Sequence, residues 1–226
     1  MIGILGGMGT QAGLDFCNKL AKLNRGKLDQ QYPMFVLYNK SNTPKRPENL
    51  KKYFNVLKAL VDGCKMLQKN KCKFIVMPCN TAHYWHKDIQ KKIKIPLISM
   101  PKEVYLDTKK TCKKNSTIGI LCTEATLKTN VYSDYFDKNF KLISPDKKIQ
   151  KNSVNKAIKL VKMGKVKEAE IALRPAVKYL IKKKCKKIIL GCTELPIAIF
   201  AYKSFRKAKE SKLFIDPNLL LAEVCM

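Results

Sequence analysis

Two hydrophobic periods take turns along the chain. Short β-rich runs stand at Ile2–Leu5, Met34–Tyr38, Lys73–Met77, Leu97–Ser99, Thr117–Leu121, Lys141–Ile143 and Lys187–Leu190, and each is followed by ten or more residues with helical spacing. Alternation of this kind predicts parallel strands joined by crossover helices. The clearest helix starts near Pro47, in the favoured first-turn position, and carries Leu50, Phe54, Leu57, Val61, Cys64 and Leu67 at spacings of three and four. A second pattern runs through Ile158, Val161, Val166, Ile171 and Leu173 and is interrupted near Gly164, which predicts two helices.

The pattern also repeats on a larger scale. Ile-Gly-Ile-Leu occurs at Ile2–Leu5 and again at Ile118–Leu121, followed by Gly-Gly-Met-Gly-Thr in one case and Cys-Thr-Glu-Ala-Thr in the other. Phe74-Ile-Val-Met-Pro-Cys-Asn-Thr matches Ile188-Ile-Leu-Gly-Cys-Thr-Glu in character, each an apolar strand running into cysteine, a polar residue and a helix. The first pair lies 116 residues apart and the second 113, as two similar α/β halves would produce. The expected fold is therefore α/β: two similar open parallel-sheet domains related by a pseudo-two-fold axis, with the active site in the cleft between them. Residues 1–102 plus 210–226 are assigned to the first half and 103–209 to the second. The segment Phe214-Ile-Asp-Pro and the apolar helix after it would cross back onto the first half. In an open α/β sheet the loops at the carboxyl ends of the strands form the ligand crevice, so all four repeated loops are candidates for one site.

Composition narrows the possibilities. At 226 residues and 46% hydrophobic content the chain can bury a proper core. The opening Met-Ile-Gly-Ile-Leu-Gly-Gly has no basic leader, and stretches such as Leu195–Tyr202 fall short of the roughly 20 residues that span a bilayer. The expected setting is cytoplasmic, with no membrane partner. Nine cysteines without any Cys-x-x-Cys pair suggest reduced thiols rather than a disulfide framework or structural zinc. The net charge of +29 invites a polyanion partner. Arginine, however, occurs only at Arg25, Arg46, Arg174 and Arg206, and the other basic residues are lysines spread over the whole chain. Base readers rely on the arginine fork and on interleaved aromatics, so no nucleic-acid partner is expected. A positive field would still gather an anionic small substrate.

The chemistry points to the two cysteines that end repeated strands, Cys79 and Cys192. At a strand end that opens a helix, aligned backbone N–H groups favour thiolate over thiol. Racemising an amino acid requires a base on one face of the α-carbon and an acid on the other, and a duplicated cysteine supplies that symmetry. One thiol must be ionised while the other is not, and repulsion in a shared cavity keeps the two titrations apart. Around them, the backbone near Met8, Gly9 and Thr10, together with Asn80, Thr81, Thr123, Thr126, Thr193 and Glu194, lines the expected substrate cradle.

The segments Ile-Gly-Ile-Leu-Gly-Gly-Met-Gly-Thr, Met-Pro-Cys-Asn-Thr-Ala-His and Gly-Cys-Thr-Glu resemble the signature loops of the aspartate/glutamate racemases that work without pyridoxal phosphate, and the aspartate racemase branch most of all. The likeness extends over nearly the whole chain. It implies that Cys79 and Cys192 are the catalytic acid and base, that no cofactor is used, that the substrate is a small acidic amino acid, and that the enzyme is a homodimer. It also implies a basic pair for the distal carboxylate, at Arg46 in Asn-Thr-Pro-Lys-Arg-Pro and Lys162 in Lys-Leu-Val-Lys-Met-Gly. A carboxylate is well met by a guanidinium fork. The glutamate racemase branch carries an Asp near the first loop and a His beside the second cysteine; here Gly6-Gly7 and Thr193-Glu194 stand there, which favours aspartate over glutamate. Glu124 occupies a place where a neutral residue would sit more comfortably beside a dianion, and this widens the range to other acidic amino acids.

Other readings are open to the same residues. His83 and His86 with Cys79 form an incomplete metal set, so no metal is expected; His83 caps or lines the pocket and His86 lies near the surface. Gly3, Gly6, Gly7 and Gly9 miss the spacing of a dinucleotide fingerprint and suit a tight turn with close substrate approach. A glutamate or hydantoin racemase, a maleate isomerase, or a non-catalytic anion-binding protein are the alternatives.

Overall fold

The structure, a computed structural model, describes residues 1–23, 28–46, 53–136, 138–201 and 212–226. It divides into two compact units, Met1–Glu103 with Asn218–Met226, and Val104–Pro217.

In the first unit the elements are β1 (Ile2–Gly6), α1 (Thr10–Leu23), β2 (Phe35–Asn39), α2 (Tyr53–Lys69), β3 (Phe74–Val76), a tight helical turn at Thr81–Trp85, α3 (His86–Gln90) and α4 (Met100–Thr111), the last running on into the second unit. The sheet is parallel, in the order β2-β1-β3, with Ile4 opposite Leu37 on one side and Val76 on the other. The central strand β1 is buried on both faces and β3 nearly so, as a parallel sheet flanked by helices requires, while β2 lies at the more exposed edge. Ile2, Ile4 and Val76 pack with Phe16, Leu20 and Met100, while Leu5, Ile75 and Met77 pack with Val56, Leu60, Cys64 and Leu67 of α2. The expected strand at Leu97–Ser99 shrinks to one bridge between Leu97 and Ile75. Pro96 has no N–H to donate and α4 starts at Met100, so no ladder has room to grow.

The second unit contains β4 (Thr117–Cys122), α5 (Glu124–Lys128), α6 (Ser133–Phe136), β5 (Lys141–Ile143), α7 (Lys147–Ile149), a wide helical turn at Gln150–Asn155, α8 (Lys156–Lys162), α9 (Val166–Lys182), β6 (Lys187–Gly191), α10 (Leu195–Ala201) and β7 (Phe214–Ile215). Its sheet is also parallel, ordered β5-β4-β6-β7. Here α8 and α9 are the two helices expected around Gly164. The core gathers Leu121, Ile188 and Leu190 against Ile158, Val161, Leu173, Val177 and Leu180.

Both sheets therefore place their first strand at the centre, their second on one side and their third on the other. The repetition reaches finer detail. Helices α2 and α9 are each 17 residues long and end alike: Lys71 and Lys184 take left-handed φ values of 58° and 57°, and Cys72 and Cys185 donate their backbone N–H back to Leu67 and Leu180 at 3.4 and 3.2 Å. This is the Schellman ending, with lysine in the place usually taken by glycine. The same two closing residues crowd the central strands. A Cβ on Gly3 would lie 3.2 Å from Leu67 and Cys72, and one on Gly119 would lie 2.8 and 3.2 Å from Leu180 and Cys185.

Two expectations change. Lys212–Pro217, assigned by sequence to the first half, belongs to the second unit, because Phe214 and Ile215 add a strand beside Ile188 and Ile189. The return to the first unit starts at Asn218, in helix α11 (Pro217–Glu223), where the Asn218 side chain donates to the Ala12 carbonyl and the Asp15 carboxylate. Phe54, expected on the buried face of α2, is 80% exposed. The core side of that first turn is taken by Tyr53, whose hydroxyl donates to Asp88 and whose ring meets Tyr84 and Trp85. Pro47 and Leu50, and with them the expected start of this helix, lie outside the described residues.

Candidate active site

In a sheet ordered second-first-third, chain connections leave the central strand in opposite directions, and a crevice opens at the carboxyl ends of the first and third strands. In the first unit those ends carry the Gly7–Gly9 loop after β1 and the Cys79 loop after β3. In the second they carry the Thr123–Thr126 loop after β4 and the Cys192 loop after β6.

The first loop turns at Gly7, φ +87°, where any Cβ would lie 2.3 Å from the backbone of Lys40. The chain thus passes directly against the loop after β2. Met8 is buried, Gly9 half-buried and Thr10 exposed. The Thr10 hydroxyl accepts from Asn39 at 3.2 Å. Arg46 is fastened to this loop: one terminal nitrogen donates to the Met8 carbonyl at 2.8 Å and the other to Pro44 at 3.2 Å. A guanidinium has five N–H donors, so these contacts orient the fork without exhausting it.

At Cys79 the chain makes a three-residue turn about Pro78, with the Cys79 N–H donating to Met77 at 2.7 Å. Proline's fixed φ suits the centre of such a turn. Cys79, Asn80 and Thr81 are all buried. The Cys79 carbonyl accepts from His83 Nδ1 at 2.9 Å, and the Met100 N–H donates to His83 Nε2 at 3.1 Å. A carbonyl can only accept and an amide N–H can only donate, so the ring is neutral with its proton on Nδ1. Burial, above all, lowers the His83 pKa from 6.5 to about 4, and the neighbouring His86 adds to this. His83 is thus a clamp between the Cys79 loop and the start of α4. His86, expected near the surface, is half-buried and bonded to the Leu97 carbonyl at 2.7 Å.

In the second unit Thr123 caps α5, its hydroxyl accepting from the Thr126 N–H at 3.1 Å and lying 3.0 Å from the Thr126 hydroxyl. Gln150 donates to the Cys122 carbonyl at 2.8 Å and to Asn155, which in turn donates to Glu124 at 2.7 Å. Glu124 is therefore tied into its own unit's polar chain. Cys192 is closed into a turn by the Leu195 N–H, which donates to its carbonyl at 2.9 Å. The Cys192 thiol donates to the Glu194 carboxylate at 3.0 Å, Thr193 approaches the same oxygen at 3.4 Å, and Lys162 lies 3.5 Å from the other. Cys192, Thr193 and Glu194 are buried, whereas the Lys162 side chain is 54% exposed.

The expectation that both cysteines favour thiolate fails at Cys192. Burial pushes this thiol well above its ordinary range, the Glu194 charge and hydrogen bond push it further, and Lys162 offsets only part. The local helix α10 is followed only over seven residues, Leu195–Ala201, and desolvation dominates. Among the described residues, no group of three or more His, Cys, Asp or Glu side chains converges as a metal site, and no helix is long and apolar enough to cross a membrane.

The profile of the Asp/Glu/hydantoin racemase family matches residues 5–225. The chain belongs to that family. As a member it is an amino-acid racemase. It is 29% identical over 199 residues, 86% of either chain, to the broad specificity amino-acid racemase RacX of Bacillus subtilis strain 168. Among solved structures, the Picrophilus torridus aspartate racemase superposes with a TM-score of 0.81 at 30% identity, covering 99% of this chain and 91% of that one. An aspartate racemase homologue from Pyrococcus horikoshii OT3 shares the fold, with a TM-score of 0.78 at 23% identity over 99% and 96% of the two chains.

Sequence reasoning about this racemase missed three features. It gave His83 no clamping role, Gln150 and Asn155 no role at all, and Glu194 a place in the substrate cradle but no hydrogen bond with Cys192. For His83 and Glu194 a signal existed, since each stands within four residues of its cysteine on a turn. For Gln150 none did, because its contact with Cys122 spans 28 residues.

Proposed function

We propose that this racemase inverts aspartate, with tolerance for other acidic amino acids, by a two-base reaction between the Cys79 and Cys192 sulfurs. One sulfur, as thiolate, takes the α-proton; the other, as thiol, returns its own proton to the opposite face, and the two exchange protonation states with each turnover. The backbone and hydroxyl groups of Met8, Gly9, Thr10, Asn80, Thr81, Thr123, Thr126 and Thr193 receive the α-carboxylate and the developing carbanion charge. Arg46 meets the distal carboxylate through the donors that Met8 and Pro44 leave over. Lys162 assists from its place beside Glu194. No cofactor takes part in this proposal.

The observation that supports it most is the repeated topology: each cysteine follows the third strand, beside the loop of the central strand, at the point where an open sheet binds its ligand. The similarity to the Picrophilus aspartate racemase supports the choice of substrate. Wider tolerance is supported by the similarity to RacX.

The test is incubation with L-aspartate in deuterated buffer under reducing conditions. D-aspartate carrying deuterium at Cα is the expected product. Exchange only with glutamate or with neutral amino acids would overturn the substrate, and inertness toward all of them would overturn the reaction.

A further inference from the structure

The two-thiol reading leaves open which sulfur holds the proton before substrate arrives, and the surroundings of Cys192 bear on that question. Its Sγ lies 3.0 Å from Glu194 Oε2 in a buried turn. A carboxylate only accepts, so the hydrogen of this contact must come from the thiol. Removing it would leave two anions side by side out of water, an arrangement that buried sites avoid.

We propose that Glu194 is a positioning residue for the racemisation: its carboxylate keeps Cys192 in the thiol form, so that the free enzyme offers this sulfur as proton donor, with Lys162 as the counter-charge that moderates the hold. This deepens the reading above and rests on it. Glu194 is itself oriented by the Thr193 hydroxyl at 3.4 Å and the Lys162 ammonium at 3.5 Å. The other titratable side chains that bear on Cys192 come from the rest of the unit. Tyr132 feels its charge, and Cys122 and Asp216 act on Tyr132 in turn. Among these groups Lys162 supplies the positive charge, and it is the partner that can turn toward solvent or a substrate carboxylate, being half exposed.

In the first turnover the bond between Cα and hydrogen breaks toward the other sulfur, the S–H bond of Cys192 breaks toward Cα, and no electrons leave the pair of thiols. Cys192 is then a thiolate beside Glu194, the disfavoured arrangement, and recovers a proton from solvent as the other thiol loses one. The carboxylate thereby gives a symmetric reaction a preferred resting form.

The experiment follows alkylation of the Cys192 peptide by iodoacetamide between pH 7 and 10, read by mass spectrometry on the full chain, in wild type, Glu194→Gln and Lys162→Met. With the neighbouring anion removed, Glu194→Gln should alkylate at Cys192 about tenfold faster at pH 8, and the alkaline limb of kcat/KM for aspartate should move to lower pH. Lys162→Met, which removes the moderating charge at an exposed residue, should slow Cys192 alkylation about threefold. Cys122, buried in the same unit, reports on opening of the fold. If Glu194→Gln also exposes Cys122, the comparison passes to Lys162→Met. Rates at Cys192 within twofold of wild type in an intact Glu194→Gln, or in Lys162→Met where that variant decides, would overturn the proposal. Altered alkylation in a protein that exchanges no deuterium into aspartate would uphold the hold on Cys192 while overturning the substrate.

Discussion

Cys79 and Cys192 follow equivalent strands, 113 residues apart, and different kinds of group hold them. The Cys79 turn is fixed through its backbone: proline sets the bend and the neutral, fully buried His83 joins its carbonyl to the amide of Met100. At Cys192 the sulfur itself is engaged, by the Glu194 side chain with a lysine behind it. A duplication can copy strand order, helix length and the placement of a thiol, because backbone packing dictates all three. Electrostatics is set by the few residues that follow, and these diverge without disturbing the fold. The proposed reaction needs two sulfurs in unlike protonation states, and under the proposal Glu194 is the group that would set Cys192 apart.

The sharpest way to break the comparison is to remove each sulfur. Cys79→Ser and Cys192→Ser are each expected to lower aspartate racemisation by about 10³-fold, a general acid–base contribution, measured as D-aspartate formed per unit time. Full turnover by either variant would remove that cysteine from the reaction. Next in size is His83. Its pKa falls from 6.5 unfolded to about 4 folded, so the unfolded chain binds the extra proton between those values. Stability is then complete above pH 6.5 and declines as pH falls toward 4, by on the order of 3 kcal/mol for this fully buried ring. His83→Leu should flatten that decline in urea titrations at pH 4.5 and 7, while losing activity through the Cys79 loop; an equally steep decline would place the sensitivity elsewhere.

The loops after the central strands extend the contrast. Gly7→Ala places a side chain against Lys40 at positive φ and should cost at least about 1–3 kcal/mol from the backbone conformation alone. Thr123→Ala, at the matching loop, removes a helix cap and should cost about 1 kcal/mol. Thermal melts compare the two directly, and equal shifts would mean the loops are held by the same means. Of much the same size as the lost cap is Arg46→Ala, expected to weaken aspartate roughly tenfold in kcat/KM while leaving alanine nearly unchanged, the loss of one charge-assisted contact. Equal losses for both substrates would show that Arg46 only shapes the Met8 loop.

Most of this architecture could be read from periodicity, because strands buried on both faces and helices packed on them leave regular apolar marks. The Ile-Gly-Ile-Leu echo became two central strands, and the break at Gly164 became a helix boundary. Misreadings arose where a local rule met a tertiary competitor. Phe54 had the right spacing, but Tyr53 with Asp88 took the buried side of the turn. Phe214-Ile215 looked like part of a returning tail, but the open edge of β6 captured it. The strand-end placement of the two cysteines was legible in the sequence, whereas the hydrogen bond from Cys192 to Glu194 was not, since a strand-end cysteine reads the same whether dipoles or a carboxylate prevail.

The tether at Asn218 also governs the order of assembly. Residues 104–217 form one uninterrupted stretch, so the second unit can complete its core as soon as that stretch has emerged from the ribosome. The first unit begins earlier yet has to wait: Leu221 and Ala222 seal the face where Ile2, Ile4, Phe16 and Leu20 lie, and they are translated after everything in the second. During synthesis the Cys79 half therefore stays unsealed longer than the Cys192 half, the reverse of their order along the message.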